Sequence, residues 1–100
     1  MKSASVPNVA VPSVPAQTAM IQVTIDHLVF SPVEIQARVG DTIAWINKDI
    51  VAHTATVRGV FDVMIKANKS ASLVLTKAGI VEYYCRFHPN MKGRITITPE

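Results

Sequence analysis

Residues 33–47 read Val33-Glu34-Ile35-Gln36-Ala37-Arg38-Val39-Gly40-Asp41-Thr42-Ile43-Ala44-Trp45-Ile46-Asn47. From Val33 to Val39 apolar and polar side chains alternate without a break. Successive side chains of a strand point to opposite faces, so this run is a strand with one buried face. Gly40-Asp41 is a turn signal, and Thr42–Asn47 follows as a second strand with Ile43 and Trp45 on its inner side. The same reading extends outward. Ile21, Val23 and Ile25 alternate with Gln22, Thr24 and Asp26. His53–Val57 is a further short strand, and Ser70–Leu75 alternates around Leu73 and Leu75. Lys77-Ala78-Gly79 turns the chain into Ile80–Cys85, and Gly93–Thr98 places Ile95 and Ile97 on one side. Arg58–Lys69 is less regular and predicts a short strand near Phe61–Ile65 with loop around it. Seven or eight short strands separated by regular turns predict an all-β fold, an antiparallel β-sandwich.

Composition agrees. The chain has 100 residues, enough for one hydrophobic core and too few for two. Valine, isoleucine and threonine supply 32 residues against 3 leucines, a bias of β-branched side chains toward strands. With 49% apolar and 17% charged residues the chain is not intrinsically disordered as a whole. No apolar stretch is long enough to span a membrane. A net charge of +3 is far from the dense basic footprint of a nucleic-acid binder. One cysteine excludes an internal disulfide. Residues 1–19 carry Pro7, Pro12 and Pro15 and a single charge at Lys2, and read as a flexible, Pro-rich arm before a domain at 20–100. The prolines break the apolar run a signal peptide needs, so no signal peptide is expected here.

The chemistry is concentrated at Tyr84-Cys85-Arg86-Phe87-His88-Pro89-Asn90-Met91. A thiolate, an imidazole and a thioether fall within seven residues, at C-x-x-H-x-x-M spacing, between two strands. His53 begins another strand 32 positions earlier. Cysteine, two histidines and a weak axial methionine form the ligand set of a mononuclear blue-copper site. Soft sulfur ligands hold Cu(I), whereas imidazole suits both oxidation states. Zinc is the poorer match, because structural zinc sites favour several cysteines and do not use methionine. His27 lies in a turn away from this set and reads as a surface residue, Met20 and Met64 as linker or packing residues, and Trp45 as core. Asp49, Glu34 and Glu82 stand as isolated acids, with no pair placed for acid–base work. No phosphate-cradling glycine loop exists; a lone ligand set of this kind cannot activate oxygen or nitrite by itself and there is no second histidine cluster, so no enzyme is expected.

These residues resemble the cupredoxin family, and within it the amicyanins. The resemblance covers about residues 20–99. It is carried by Val39-Gly40-Asp41-Thr42-Ile43-Ala44-Trp45-Ile46-Asn47 followed by His53, by Ala78-Gly79 leading to Tyr83-Tyr84-Cys85, and by the short C-x-x-H-x-x-M loop. It implies a Greek-key sandwich, one copper ion of type 1, and one-electron transfer in a periplasmic or otherwise exported compartment. His53, Cys85, His88 and Met91 would be the ligands. Asn47 matches the asparagine that braces the ligand loop and hydrogen-bonds near the thiolate. Phe87 stands where such loops carry a proline, so its backbone N–H is available to the thiolate. Arg86, Lys92 and Arg94, with Pro89 and Ile50-Val51, suggest a monomer that docks an acidic rim on a redox partner, a c-type cytochrome or a dehydrogenase. The alternative is a copper-binding module for tolerance or delivery.

Overall fold

The computed structural model describes residues 18–100; the arm expected at 1–19 lies outside the described residues except for Thr18 and Ala19. Among the described residues there are nine strands: β1 Met20–Asp26, β2 Val29–Ser31, β3 Glu34–Arg38, β4 Thr42–Asn47, β5 His53–Val57, β6 Phe61–Ile65, β7 Ser70–Val74, β8 Gly79–Tyr84 and β9 Lys92–Thr98. They form two sheets, one in the order β3-β9-β8-β5-β6 and one in the order β2-β1-β4-β7. Most pairings are antiparallel; β1 with β4 and β3 with β9 are parallel.

Strand β2 is the one that alternation does not disclose. It has three residues, and the turn before it carries no glycine or asparagine. His27 and Leu28 both take positive φ, 54° and 63°, the backbone of a two-residue hairpin whose twist suits the flanking strands. That conformation is unfavourable for both residues and is held from elsewhere: the Asp49 carboxylate accepts the N–H of His27 at 2.8 Å and of Leu28 at 3.0 Å.

The core lies between the sheets. Val23 and Ile25 of β1 and Ile43 and Trp45 of β4 are buried against Ala55, Tyr83, Ile95 and Ile97 of the opposite sheet. Fully burying one such aliphatic side chain is worth about 1.5–3 kcal/mol. The Tyr83 ring packs edge-on to Phe30 at 4.7 Å and to Trp45 at 5.5 Å. Gly93 on β9 leaves the space that this ring fills; a Cβ there would overlap Cζ and Oη of Tyr83. Strands β8 and β9 pair from Lys92 opposite Tyr84 to Ile97 opposite Gly79. The loop 85–91 therefore emerges at one pole of the sandwich. Strand β5 starts at the same pole and is buried on both faces from His53 to Thr56.

Candidate metal centre

Cys85 follows the last residue of β8 and is fully buried. Its N–H donates to the Met91 carbonyl at 3.1 Å, and Met91 N–H donates to the His88 carbonyl at 2.8 Å. These two bonds fold the loop back, so residues 85 and 91 meet at its base and His88 sits at its outer turn. Met91 is buried in the same core cluster as Cys85, whereas His88 is half-buried.

His53 arrives from the other side, with no exposed surface. Its Nε2 lies 2.8 Å from Asp49 Oδ2. Burial alone would push the Asp49 carboxyl up, but the Leu28 N–H, the His53 ring and the His27 N–H outweigh it and hold the group below its ordinary value. An ionised carboxylate only accepts, so Nε2 carries a proton, and in the neutral ring Nδ1 presents a lone pair. Nδ1 faces the Cys85 sulfur at 3.7 Å. The His88 ring stands edge-on to His53 with centroids 5.4 Å apart.

This donor set fits a copper ion. Metal–imidazole bonds of about 2.0 Å and metal–thiolate bonds of about 2.3 Å, opened by roughly 110–120°, separate nitrogen from sulfur by about 3.5–3.7 Å. The separation of His53 Nδ1 from Cys85 Sγ is in that range. A carboxylate on the far nitrogen of a metal-binding histidine fixes both its tautomer and its ring plane, and Asp49 has that position. Among the described residues no three His, Cys, Asp or Glu side chains converge on one cation position. The convergence is instead of mixed type, with His53 and Cys85 in contact and His88 and Met91 on the loop beside them.

Two expectations about the sulfur's surroundings need correction. Asn47 Nδ2 donates to the carbonyls of Val51, Ile65 and Lys66 at 2.9–3.2 Å, and Asn47 Oδ1 accepts the Asp49 N–H. Its amide is occupied in bracing the loop that leads to His53 and is not on the thiolate. Among the described residues, the N–H on Cys85 Sγ is that of Thr54, at 3.4 Å. Phe87 N–H makes no such bond here; its ring lies half-exposed beneath the Arg86 guanidinium at 5.4 Å. Asp49 and Thr54 are the residues that sequence reasoning missed. The one available signal was an acid four positions before His53, in a segment with no periodicity to say where it points.

The surroundings of His88 are apolar. Leu28, Phe87, His88, Pro89, Asn90 and Met91 line one shallow depression, and Ile50 is 87% exposed. Two of the three expected docking cations are already paired: Arg86 with Asp62 at 3.0 Å and Arg94 with Glu82 at 2.7 Å.

Comparison with known proteins bears on the family and the fold. The model of the family described as a cupredoxin-like domain matches residues 4–97. The chain is 33% identical over 84 residues to amicyanin of Paracoccus denitrificans, covering 77% of this chain and 64% of that one. It thus spans just under two thirds of that relative's length. It is 25% identical over 96 residues to amicyanin of Paracoccus versutus, covering 89% of this chain and 71% of that one. Among solved structures, the oxidised form of a methionine-to-leucine variant of amicyanin superposes with a TM-score of 0.70 at 32% identity, over 77% of this chain and 80% of that one. The reduced form of a proline-to-phenylalanine variant gives 0.68 at 33% identity, over 85% and 86%.

Proposed function

The chain belongs to the cupredoxin-like family, and from that premise we propose that it holds one copper ion in a type 1 site and carries single electrons between redox proteins. The observation that carries this reading is the buried pair of His53 Nδ1 and Cys85 Sγ, 3.7 Å apart at the pole of the sandwich. His53, Cys85, His88 and Met91 would hold the ion, and copper bound there would supply reversible one-electron chemistry. The chain's own contribution is rigidity. Asp49 fixes the His53 ring, Thr54 N–H holds the sulfur, and the backbone bonds at 85 and 91 fix the loop ends. Ligands that cannot rearrange keep the cost of changing oxidation state low. Half-buried His88, ringed by Leu28, Phe87 and Pro89, would be the edge through which an electron enters and leaves.

The partner is a redox protein, a c-type cytochrome or a dehydrogenase, met through this apolar face by a monomer in an exported compartment. Because Arg86 and Arg94 are already neutralised within the chain, encounter rates should fall only modestly as salt rises. Voltammetry in the presence of a Cu(I) chelator separates carrier from delivery module. Reversible cycling with copper retained supports the carrier; rapid surrender of Cu(I) to the chelator supports delivery and contradicts this proposal.

A further inference from the structure

Behind Cys85 the hydrogen bonds close on themselves. Arg86 N–H donates to Thr54 Oγ1 at 2.9 Å. Thr54 Oγ1 and Thr56 Oγ1 are 2.9 Å apart, and Thr56 Oγ1 donates to Asp62 Oδ1 at 2.7 Å. Arg86 Nε–H donates to the same Asp62 oxygen at 3.0 Å. The path leaves Arg86 through its backbone and returns through its side chain. Thr54 and Thr56 lie on the face of β5 opposite Ala55 and are buried, 0% and 5% exposed. The Arg86 guanidinium and the Thr56 hydroxyl hold the Asp62 carboxyl below its ordinary value, so it is ionised at neutral pH.

That charge sets every direction in the path. A carboxylate accepts only, so the Thr56 proton points at Asp62. The Thr56 oxygen must then accept the Thr54 proton, and the Thr54 oxygen must accept the Arg86 N–H. Neither hydroxyl has another arrangement that satisfies the path. The Arg86–Asp62 ion pair, being exposed, adds little stability of its own. Its effect is on the two buried hydroxyls, which bonds in series polarise further. Thr54 is also the residue whose N–H meets Cys85 Sγ. Through one residue the path thus grips both the sulfur and the Cys85–Arg86 peptide.

We propose that Asp62 is a positioning residue for the Cys85 thiolate, acting through Thr56 and Thr54 to fix the Cys85–Arg86 peptide and the N–H donated to the sulfur. The inference rests on the copper reading and extends it one layer outward. An N–H aimed at the sulfur draws electron density from it, and a less donating thiolate favours the reduced metal. Breaking the path frees the peptide, restores density to the sulfur and lowers the reduction potential.

The test uses Asp62→Ala, Thr54→Val, their combination, and Thr54→Ser. The unmodified protein is first loaded with Cu(II) and its spectrum recorded. Without a thiolate band the copper reading fails, and this inference fails with it; with the band, the variants judge the inference alone. In the metal-free protein, Asp62→Ala and Thr54→Val should each speed hydrogen exchange at the Arg86 amide about five- to tenfold. In the copper-loaded protein each should lower the potential and shift the thiolate absorption, and the combination should add little to either alone. Thr54→Ser, which keeps the hydroxyl, should restore both properties. A loss of stability with unmoved potential, absorption and Arg86 exchange would show a merely structural role and overturn the proposal. Fully additive shifts in the combined variant would overturn it too.

Discussion

Replacing Asp49 by alanine removes the acceptor of three donors at once: the N–H groups of His27 and Leu28 and Nε2 of His53. The two turn amides are exposed, and water can replace the carboxylate there at about 0.5 kcal/mol each. His53 is different. Its side chain has no exposed surface, so its ring N–H loses a partner it cannot replace, at about 1–3 kcal/mol. Together Asp49→Ala should destabilise the metal-free protein by roughly 2–4 kcal/mol, lowering its thermal midpoint by about 10–25 °C for a chain of this size. With His53 no longer held in one tautomer, copper affinity should fall about 10- to 100-fold. Urea unfolding of the metal-free protein measures the first effect and chelator competition the second. Adding His27→Asn and Leu28→Gly supplies a turn that tolerates positive φ and should recover about 1 kcal/mol of stability. It should recover none of the copper affinity. Metal-free Asp49→Ala unfolding within about 0.5 kcal/mol of the unmodified protein would refute the reasoning, as would a full recovery of affinity by the turn substitutions.

Gly93→Ala drives a methyl group into the Tyr83 ring and should cost about 1–3 kcal/mol by denaturant unfolding, a loss that Tyr83→Leu in the same chain should partly relieve. Asp41 accepts the N–H of Ala19 and of Arg38, and these bonds hold its carboxyl below its ordinary value. A depressed carboxyl contributes stability above the unfolded value of about 3.9 that is lost as pH falls through the folded one. The metal-free protein should therefore weaken below about pH 4, and Asp41→Asn should flatten that part of its pH–stability profile. Phe87→Pro deletes an N–H that makes no hydrogen bond to Sγ here but lies in the loop around it. It should leave the reduction potential close to that of the unmodified protein by voltammetry; a clearly lowered value would contradict Thr54 as the sulfur's backbone donor.

What could be read from the sequence was what alternates or lies close together. Val33–Val39 and Ile21–Ile25 disclosed their strands because a half-buried strand repeats every two residues. Phe61–Ile65 could be placed even inside an irregular stretch, because β-branched and aromatic residues cluster there. Val29–Ser31 could not, since three residues hold no period and the turn before it depends on a carboxylate twenty-one residues away. The same division runs through the site. Cys85, His88 and Met91 share one loop, and His53 was recognisable from its place in the order of ligand types. Asp49, Thr54, Thr56 and Asp62 act only once β5, β6 and the 85–91 loop are packed together, and nothing local marks Asp62 as a partner of Arg86. Asn47 was recognisable only through the family resemblance, and which carbonyls it serves depends on how the loops at 47–53 and 65–66 close.

The central claim is that Cys85 supplies a thiolate to a copper ion beside His53. The visible spectrum after adding one equivalent of Cu(II) to the protein tests it most directly. Charge transfer from a thiolate to Cu(II) gives intense visible absorption, so the unmodified protein should turn blue or green, and Cys85→Ser, which keeps the size but not the sulfur, should stay colourless. A colourless Cu(II) complex of the unmodified protein, or a colour that survives in Cys85→Ser, would contradict the account.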